Sequence, residues 1–185
     1  MRIVSGEFKG RRIKAVPGRN TRPTTDKVKE SLFNIIGPYF DGGDCLDLFA
    51  GSGNLGLEAI SRGMDTCIFI DRDYKAFSTI RDNVKTLNVD EQVEVYKRDA
   101  FKALKQIATQ NRTFDLIFLD PPYKHQQIND IIFTINEEGL LNNAGMIIAE
   151  YPKEDFLEKQ FGTIEEYKTL TYGITKITIF IKEVE

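Results

Sequence analysis

Short apolar runs alternate with amphipathic segments along most of the chain. The apolar runs lie at 44–50, 66–70, 93–96, 114–119 and 146–150. Continuous runs of this length are typical of strands that are covered on both faces of a parallel sheet. The segments that follow these runs have apolar residues at helical spacing. The first ends near residue 62, and the others lie at 74–87, 101–108 and 127–135, with a short one at 153–158. Because strand and helix alternate five times, we predict an α/β fold with a mostly parallel, doubly wound sheet.

The helix at 74–87 illustrates the pattern, because its apolar residues recur on one face. These residues are Tyr74, Phe77, Ile80, Val84 and Leu87. They predict a helix that packs on the sheet along this face.

Both ends of the chain add to this alternation. Residues 2–5 and 11–15 predict a small hairpin. After a loop at 17–23, Thr24, Thr25 and Asp26 are suitable caps for a helix that runs to Ile36 and ends before Gly37. Its apolar stripe leaves Lys27, Lys29 and Glu30 facing away from the core. At the other end, 167–172 and 175–181 predict a terminal hairpin around Gly173.

The composition narrows the class of protein. A length of 185 residues with 41% hydrophobic and 29% charged residues fits one domain with a sizeable core. No run is apolar enough to span a bilayer, and the N-terminus lacks a signal peptide, so we expect a cytoplasmic protein without a membrane partner. Cys45 and Cys67 fall in predicted strands and are expected to be free thiols in the core. The spacing of Cys and His indicates no metal site.

Positive charge is concentrated at the N-terminus. The net charge is −3, yet residues 1–31 carry nine Lys or Arg and three acidic residues, which leaves −9 on the remainder. A basic segment on an acidic body favours contact with a polyanion, although a solvated charged face would have the same composition. The candidate phosphate-binding residues are Arg2, Lys9, Arg11, Arg12, Lys14, Arg19 and Arg22.

A glycine-rich segment, Gly51-x-Gly53-x-x-Gly56, lies between the first strand and a helix. Such a turn lets backbone N–H groups approach a ligand at the helix N-terminus, and by itself it also permits NAD. Acidic residues at three successive strand ends favour another ligand. Asp47 could face an ammonium group, Asp71 could hold ribose hydroxyls, and Asp99 could accept from an adenine amine. Together they predict a nucleoside that carries an amino acid, namely S-adenosyl-L-methionine.

The acids permit two other interpretations. Each one alone could be a helix cap or a loop residue. Asp71-Arg72-Asp73 also has the form of a metal-binding Asp-x-Asp, but no further acidic ligand is placed near it by the pattern. The candidate cofactor-binding residues are Asp47, Phe49, Ala50, Gly51, Ser52, Gly53, Asp71, Arg72, Asp99 and Ala100.

The strand at 114–119 ends in Asp120, Pro121, Pro122 and Tyr123. Two successive prolines stop a strand and remove two backbone donors, so that carboxylate and carbonyl acceptors face the carboxyl edge of the sheet. Tyr123 supplies a ring on which a base can stack. These four candidate catalytic residues suit a planar exocyclic amine, which brings two N–H donors, although an ordinary Pro-Pro turn would have the same sequence.

The glycine-rich and Asp-Pro-Pro-Tyr motifs, in this order and spacing, resemble those of class I S-adenosylmethionine-dependent amino methyltransferases. The N-terminal stretches Met-Arg-Ile-Val-Ser-Gly-Glu-Phe-Lys-Gly-Arg-Arg-Ile and Asn-Thr-Arg-Pro-Thr-Thr-Asp-Lys-Val-Lys-Glu-Ser-Leu-Phe-Asn-Ile are similar to the RsmD family of 16S ribosomal RNA (guanine-N2) methyltransferases. The resemblance covers essentially the whole chain.

The resemblance implies a Rossmann-like sheet of seven strands with an antiparallel last strand. It also implies transfer of a methyl group from S-adenosyl-L-methionine to one guanine of 16S rRNA in the 30S subunit. We expect a monomeric single domain over 1–185, with a basic RNA-contacting extension at 1–37 and a catalytic core at 38–185. The motifs select an amine and not one molecule, so DNA adenine N6 and protein glutamine remain alternatives. Two alternatives outside the methyltransferases are an NAD-dependent oxidoreductase and a non-enzymatic RNA-binding module.

Overall fold

The computed structural model describes residues 1–18, 24–122 and 125–185, with the backbone alone at 125 and 126. It divides into two compact units, Met1–Asp99 and Ala100–Glu185. No helix in these described ranges is long and apolar enough to span a bilayer.

The N-terminal unit contains a three-stranded parallel sheet and three α-helices. Its elements are α1 Asp26–Ile36, β1 Asp44–Asp47, α2 Asn54–Ser61, β2 Thr66–Asp71, α3 Tyr74–Leu87 and β3 Val93–Lys97, with a short 3-10 helix at Asp90–Gln92. The strand order is β3-β2-β1, and Cys45 lies opposite Cys67 in the register of β1 and β2. Both cysteines are buried free thiols, as predicted. The parallel register places the carboxyl ends of β1 and β2 side by side.

The C-terminal unit contains two α-helices and a mixed sheet. Its elements are α4 Ala100–Thr109, β4 Phe114–Leu119, α5 His125–Glu137, β5 Leu141–Pro152, β6 Gln160–Phe161, β7 Ile164–Tyr172 and β8 Thr175–Lys182. Strands β4 and β5 are parallel, whereas β8 lies between β5 and β7 and is antiparallel to both. The antiparallel last strand and the terminal hairpin are thus confirmed.

The strand count differs from the prediction. The described residues contain eight strands and not seven, because the two-residue strand β6 pairs with β7 beyond the terminal hairpin. The helix predicted at 153–158 is wrong. Strand β5 instead continues to Pro152, where it pairs with Thr175 of β8, and the Lys153 N–H donates to the carbonyl of Ile174 at 2.8 Å. Residues 153–158 then form a turn and irregular backbone in place of a helix.

Two further predictions in the N-terminal unit need correction. Strand β1 ends at Asp47 and not at residue 50, because the backbone turns at Leu48. Helix α3 has the predicted bounds and buries Ile80, Val84 and Leu87, but Tyr74 is 66% exposed. Tyr74 is the first residue of the helix, beyond the part that packs on the sheet.

The predicted N-terminal hairpin is reduced to one antiparallel bridge between Arg2 and Arg12. Around this bridge the N–H groups of Ile3, Gly10 and Ile13 donate to the carbonyls of Arg11, Ile3 and Met1, whereas the residues after Ile3 bond to α2. The N–H groups of Val4 and Ser5 donate to the carboxylate of Glu58, and the N–H of Phe8 donates to Ser61 Oγ. Because α2 satisfies these backbone donors, no longer strand pairing forms.

Candidate functional site

The glycine turn joins β1 to α2 and has the conformation that its sequence requires. Gly51 and Gly53 have φ values of 57° and 83°, in the left-handed region that favours glycine. Gly53 is also the N-cap residue of α2, and its N–H donates to the carbonyl of Ala50 at 2.8 Å. The turn therefore directs backbone N–H groups toward the carboxyl end of β1.

Gly56 has a different role, because it lies inside the first turn of α2 on the face that packs against β2. A Cβ atom at this position would lie 2.8 Å from Cys67 Sγ and would overlap the ring of Phe69. Both neighbours are buried. Glycine at this position thus lets the helix approach the strand closely enough to hold the turn against the sheet.

Asp71 holds the glycine turn from the end of β2. Its Oδ2 accepts the N–H of Gly51 at 2.9 Å, and its Oδ1 accepts the N–H of Asp73 at 3.0 Å. A carboxylate oxygen has more than one acceptor site. Asp71 therefore links the ends of two strands and still has the chemistry to bind hydroxyl groups of a ligand.

Asp47, at the end of β1, is 4% exposed, and its Oδ2 accepts the N–H of Gly56 at 3.1 Å. The N-cap Gly53 has no side chain, so Asp47 supplies the acceptor that the first turn of α2 needs. Burial raises the pKa of Asp47 to about 7, the Gly56 N–H opposes this shift, and the negative charge of Asp71 adds to it. A cation beside this carboxyl group would stabilise its ionised form.

The other residues predicted to bind the cofactor differ in exposure. Ala50 and Ser52 are buried in the turn, Phe49 is half-buried, and Arg72 is exposed. Asp99 is half-buried and follows β3, whereas Ala100 is buried and begins α4 in the C-terminal unit. Within the N-terminal unit the structure brings together the glycine turn, Asp47 and Asp71.

Asn83 of α3 contacts this turn and was not predicted from the sequence. It is 0% exposed, and its Nδ2 donates to the carbonyls of Ser52 at 2.9 Å and Lys14 at 3.0 Å. Its Oδ1 accepts the N–H of Lys14 at 2.7 Å. One side chain thus joins the basic segment to the glycine turn. In the sequence, Asn83 could have been noticed as an amide side chain on the apolar face of α3, one residue before Val84.

A buried ionic cluster joins α1, α2 and the N-terminal segment. The prediction that Lys29 faces away from the core is wrong, since Lys29 is 1% exposed. Its Nζ lies 3.0 Å from Glu58 Oε1 and donates to the carbonyl of Arg2 at 2.7 Å and to Asn54 Oδ1 at 2.8 Å. Burial lowers the pKa of Lys29, and the attraction of Glu58 opposes this shift. The partners come from distant segments, which explains why helical spacing did not reveal them.

Glu58 lies at the centre of this cluster and is 0% exposed. Besides Lys29 it binds Arg62, whose Nε donates to Glu58 Oε2 at 2.8 Å. The Arg62 guanidinium also lies over the ring of Phe33, with Cζ 4.8 Å from its centroid. Two cations therefore share one carboxylate, which also accepts the N–H groups of Val4 and Ser5. The cluster holds the start of the basic segment on α2.

The Asp-Pro-Pro segment lies at the carboxyl end of β4 in the C-terminal unit. The strand ends at Leu119, as predicted, and Asp120 is exposed, Pro121 buried and Pro122 exposed. Tyr123 lies outside the described residues. The motif thus places an exposed carboxylate directly after a buried strand, where a substrate can reach it.

The basic residues of the N-terminal segment fall into two groups. Arg2 pairs with Asp26 at 2.7 Å, Arg11 donates to the carbonyl of Thr86, and Lys14 Nζ lies 3.5 Å from Asp82. The second group of candidate phosphate-binding residues consists of Lys9 and Arg12. Both are exposed, and their side chains form no hydrogen bond or ion pair within the described ranges. Arg19 and Arg22 lie outside those ranges.

A family model described as "Conserved hypothetical protein 95" matches residues 1–181. Ribosomal RNA small subunit methyltransferase D of Haemophilus influenzae is 37% identical to this chain, over 83% of this chain and 80% of that protein. The chain belongs to the RsmD family. This membership confirms the resemblance that the two motifs and the N-terminal stretches indicated.

Two further relatives extend the match over the full length. YlbH of Bacillus subtilis, which is provisionally named an rRNA methyltransferase, is 51% identical over 98% of this chain and 99% of its own length. A solved structure from Escherichia coli, provisionally named a methyltransferase, has a TM-score of 0.85 and 30% identity, covering 100% of this chain and 99% of that one. The RsmD family match therefore includes the basic segment, the glycine turn and the Asp-Pro-Pro-Tyr motif.

The Asp71-Arg72-Asp73 segment of this RsmD family member is not part of a metal-type cluster of side chains in the described part of the chain. Within that part, the histidine, cysteine, aspartate and glutamate side chains form no group of three or more that could hold a metal ion. Asp71 and Asp73 instead take part in backbone hydrogen bonds, since Asp71 accepts from the N–H of Gly51 and Asp73 from the N–H of Ala76. The Asp-x-Asp segment thus serves the turn between β2 and α3.

Proposed function

We propose that this protein transfers a methyl group from S-adenosyl-L-methionine to the exocyclic N2 amine of one guanine in 16S rRNA of the small ribosomal subunit. The observation that carries the proposal is the glycine turn flanked by Asp47 and Asp71, in a chain whose relatives include proteins named ribosomal RNA small subunit methyltransferase D. The guanine and its N2 atom follow from the resemblance stated above.

The donor set at the turn fits this cofactor. Asp47 is a desolvated carboxyl group, and the ammonium group of the cofactor is a cation that would stabilise its charge. Asp71 would accept from the ribose hydroxyls, and Asp99 from the adenine amine. The backbone of residues 49–53, with Arg72 and Ala100, would line the remainder of the site. When bound, S-adenosyl-L-methionine supplies a methyl group that its sulfonium charge activates.

The Asp-Pro-Pro-Tyr motif would receive the base. The N2 lone pair of guanine is delocalised into the ring and is a poor nucleophile. If the Asp120 carboxylate and the Pro121 carbonyl accept the two N–H hydrogens, they stabilise the positive charge that develops on nitrogen. Pro122 restricts the backbone beside them. Stacking on Tyr123 would offset part of the few kcal/mol that it costs to take a base out of its stack.

The basic segment would hold the RNA backbone. Lys9 and Arg12 are exposed and have no ionic partner in the described part of the chain, so they can bind phosphates without breaking an existing contact. Arg2 and Lys14 can exchange theirs, because exposed ion pairs contribute only about 0–1 kcal/mol. Arg11, Arg19 and Arg22 complete the proposed surface.

Methyl transfer from labelled S-adenosyl-L-methionine tests the proposal. The substrates are 30S particles that lack their own modification, naked 16S rRNA and genomic DNA. We expect label in N2-methylguanine of the RNA, lost in Asp120→Ala and retained in Asp130→Ala, which removes an exposed carboxylate from α5 of the same unit. Label in DNA alone would transfer the function to a DNA amine. Cofactor binding without label in any substrate would show that the acceptor is wrong.

The salt dependence of RNA binding tests the basic surface. If Lys9 and Arg12 bind one phosphate each, replacing either by alanine reduces the slope of log K against log salt by about 0.7–0.9. Lys27→Ala, an exposed lysine on α1 outside the proposed set, is the matched control. Unchanged slopes in both variants would remove these two residues from the RNA-binding surface.

A further inference from the structure

Glu150 lies on β5 beside the Asp-Pro-Pro-Tyr motif. Strands β4 and β5 are parallel, and Leu119 lies opposite Ala149. Asp120 and Glu150 each follow this pair by one residue, so both lie at the end of β4 at the same edge of the C-terminal sheet.

Burial disfavours the charged form of Glu150. The residue is half-buried, and its neighbour on β8 is the buried Ile177. Burial raises the pKa of the Glu150 carboxyl group. Within the described ranges the carboxylate forms no hydrogen bond and no ion pair. A desolvated carboxylate that forms no hydrogen bond in the described part of the chain costs stability where a leucine would not.

A residue that lowers stability at the edge of a proposed active site indicates a functional role, and for Glu150 this role is recognition of the base. Guanine presents N1–H beside its N2 amine, whereas adenine has an acceptor at N1. An ionised carboxylate accepts from guanine N1–H and repels the lone pair of adenine N1. Its neighbour Asp120 is already assigned to the amine, so the Glu150 side chain is available for the adjacent ring nitrogen.

We infer that Glu150 is a specificity-determining residue that selects guanine by accepting its N1–H. The inference rests on the proposed function, since it requires guanine as the acceptor base. It extends the recognition site from the four residues of the motif to the neighbouring strand.

The test compares the wild type with Glu150→Leu and Glu150→Gln. Leucine removes the acceptor and keeps a similar volume, whereas glutamine keeps a neutral acceptor oxygen. Glu165→Leu, a half-buried glutamate on β7, is the matched control. The measurements are kcat/KM for methyl transfer to unmodified 30S particles or 16S rRNA, the nucleoside formed, the affinity for S-adenosyl-L-methionine and the midpoint of thermal unfolding.

We expect Glu150→Leu to lose about 10- to 150-fold in kcat/KM, the range for a hydrogen bond to a charged group. Its unfolding midpoint should be at or above that of the wild type, with unchanged cofactor affinity, and Glu150→Gln should lose less activity. A Glu150→Leu enzyme within twofold of the wild type would overturn the inference, as would a parallel loss of stability and activity. If the wild type forms no N2-methylguanosine, it is the proposed function that fails.

Discussion

Substitution of Glu58 tests whether the buried ionic cluster stabilises the N-terminal unit. The Glu58 carboxylate accepts from four donors, which are the N–H groups of Val4 and Ser5, Lys29 Nζ and Arg62 Nε, at 2.8–3.1 Å. Glu58→Gln keeps the shape of the side chain but removes the charge. Lys29 and Arg62 then remain buried, 1% and 3% exposed, without the carboxylate charge that both of them bind.

The expected loss follows from this geometry. Removing one partner of a buried ion pair costs about 3–5 kcal/mol, because the remaining charge is desolvated and unpaired. In Glu58→Gln the amide NH₂ also faces donors, so at least one of the four hydrogen bonds is lost, at about 1 kcal/mol or more. We therefore expect the free energy of unfolding to fall by about 3–5 kcal/mol, out of the 5–15 kcal/mol that is typical of a domain.

Urea unfolding followed by circular dichroism measures this loss. Glu165→Gln, at a half-buried position on β7, is the matched control and should change the free energy of unfolding by less than about 0.5 kcal/mol, as substitutions away from buried ionic networks usually do. Hydrogen exchange at the amides of Val4 and Ser5 should become faster in Glu58→Gln, since both lose a charged acceptor. A loss below about 1 kcal/mol would refute the view that this carboxylate neutralises two buried cations.

Three further predictions concern the glycine turn. For Asp47, the folded pKa of about 7 exceeds the ordinary value of 3.8, so the folded state binds more protons between these values and stability falls as the pH rises through that window. At about 1.4 kcal/mol per pKa unit the effect is at most about 4 kcal/mol. Asp47→Asn should abolish this pH dependence and raise the unfolding free energy above pH 7, with weaker cofactor binding; a pH dependence like that of the wild type would contradict this. Gly56→Ala should lose about 1–3 kcal/mol in urea unfolding through overlap with Phe69, despite the better helix propensity of alanine, and an equally stable variant would show that the helix can shift. Asn83→Ala should lose about 3 kcal/mol from its three hydrogen bonds and speed tryptic cleavage after Lys14, and unchanged cleavage would separate Asn83 from the basic segment.

The sequence alone determined the elements whose signals are local. The bounds of α3 follow from apolar residues at helical spacing, and the glycine turn follows from three glycines between a strand and a helix. The terminal hairpin follows from two alternating segments around Gly173. In each case neighbouring residues carry the whole signal, so no knowledge of distant partners was needed.

Only the tertiary structure decided which polar side chains are buried. Lys29 has the composition of an exposed helix position, and its burial depends on Glu58, which is 29 residues away in the chain. Asn83 becomes a link between the basic segment and the glycine turn because Lys14 and Ser52 both reach it. A buried polar group is stable only when its partners are present, and the chain folds these partners together from distant segments.

The same reason applies to backbone pairing and to the carboxylates of the proposed site. Strand β5 extends to Pro152 because β8 offers partners there, and the N-terminal hairpin is cut short because Glu58 takes its donors. The motif around Asp120 was visible in the sequence, but Glu150 became its neighbour only through the register of β4 and β5. Spacing along the chain predicts which residues share a helix or a strand, whereas three-dimensional packing decides which partners satisfy their polar groups.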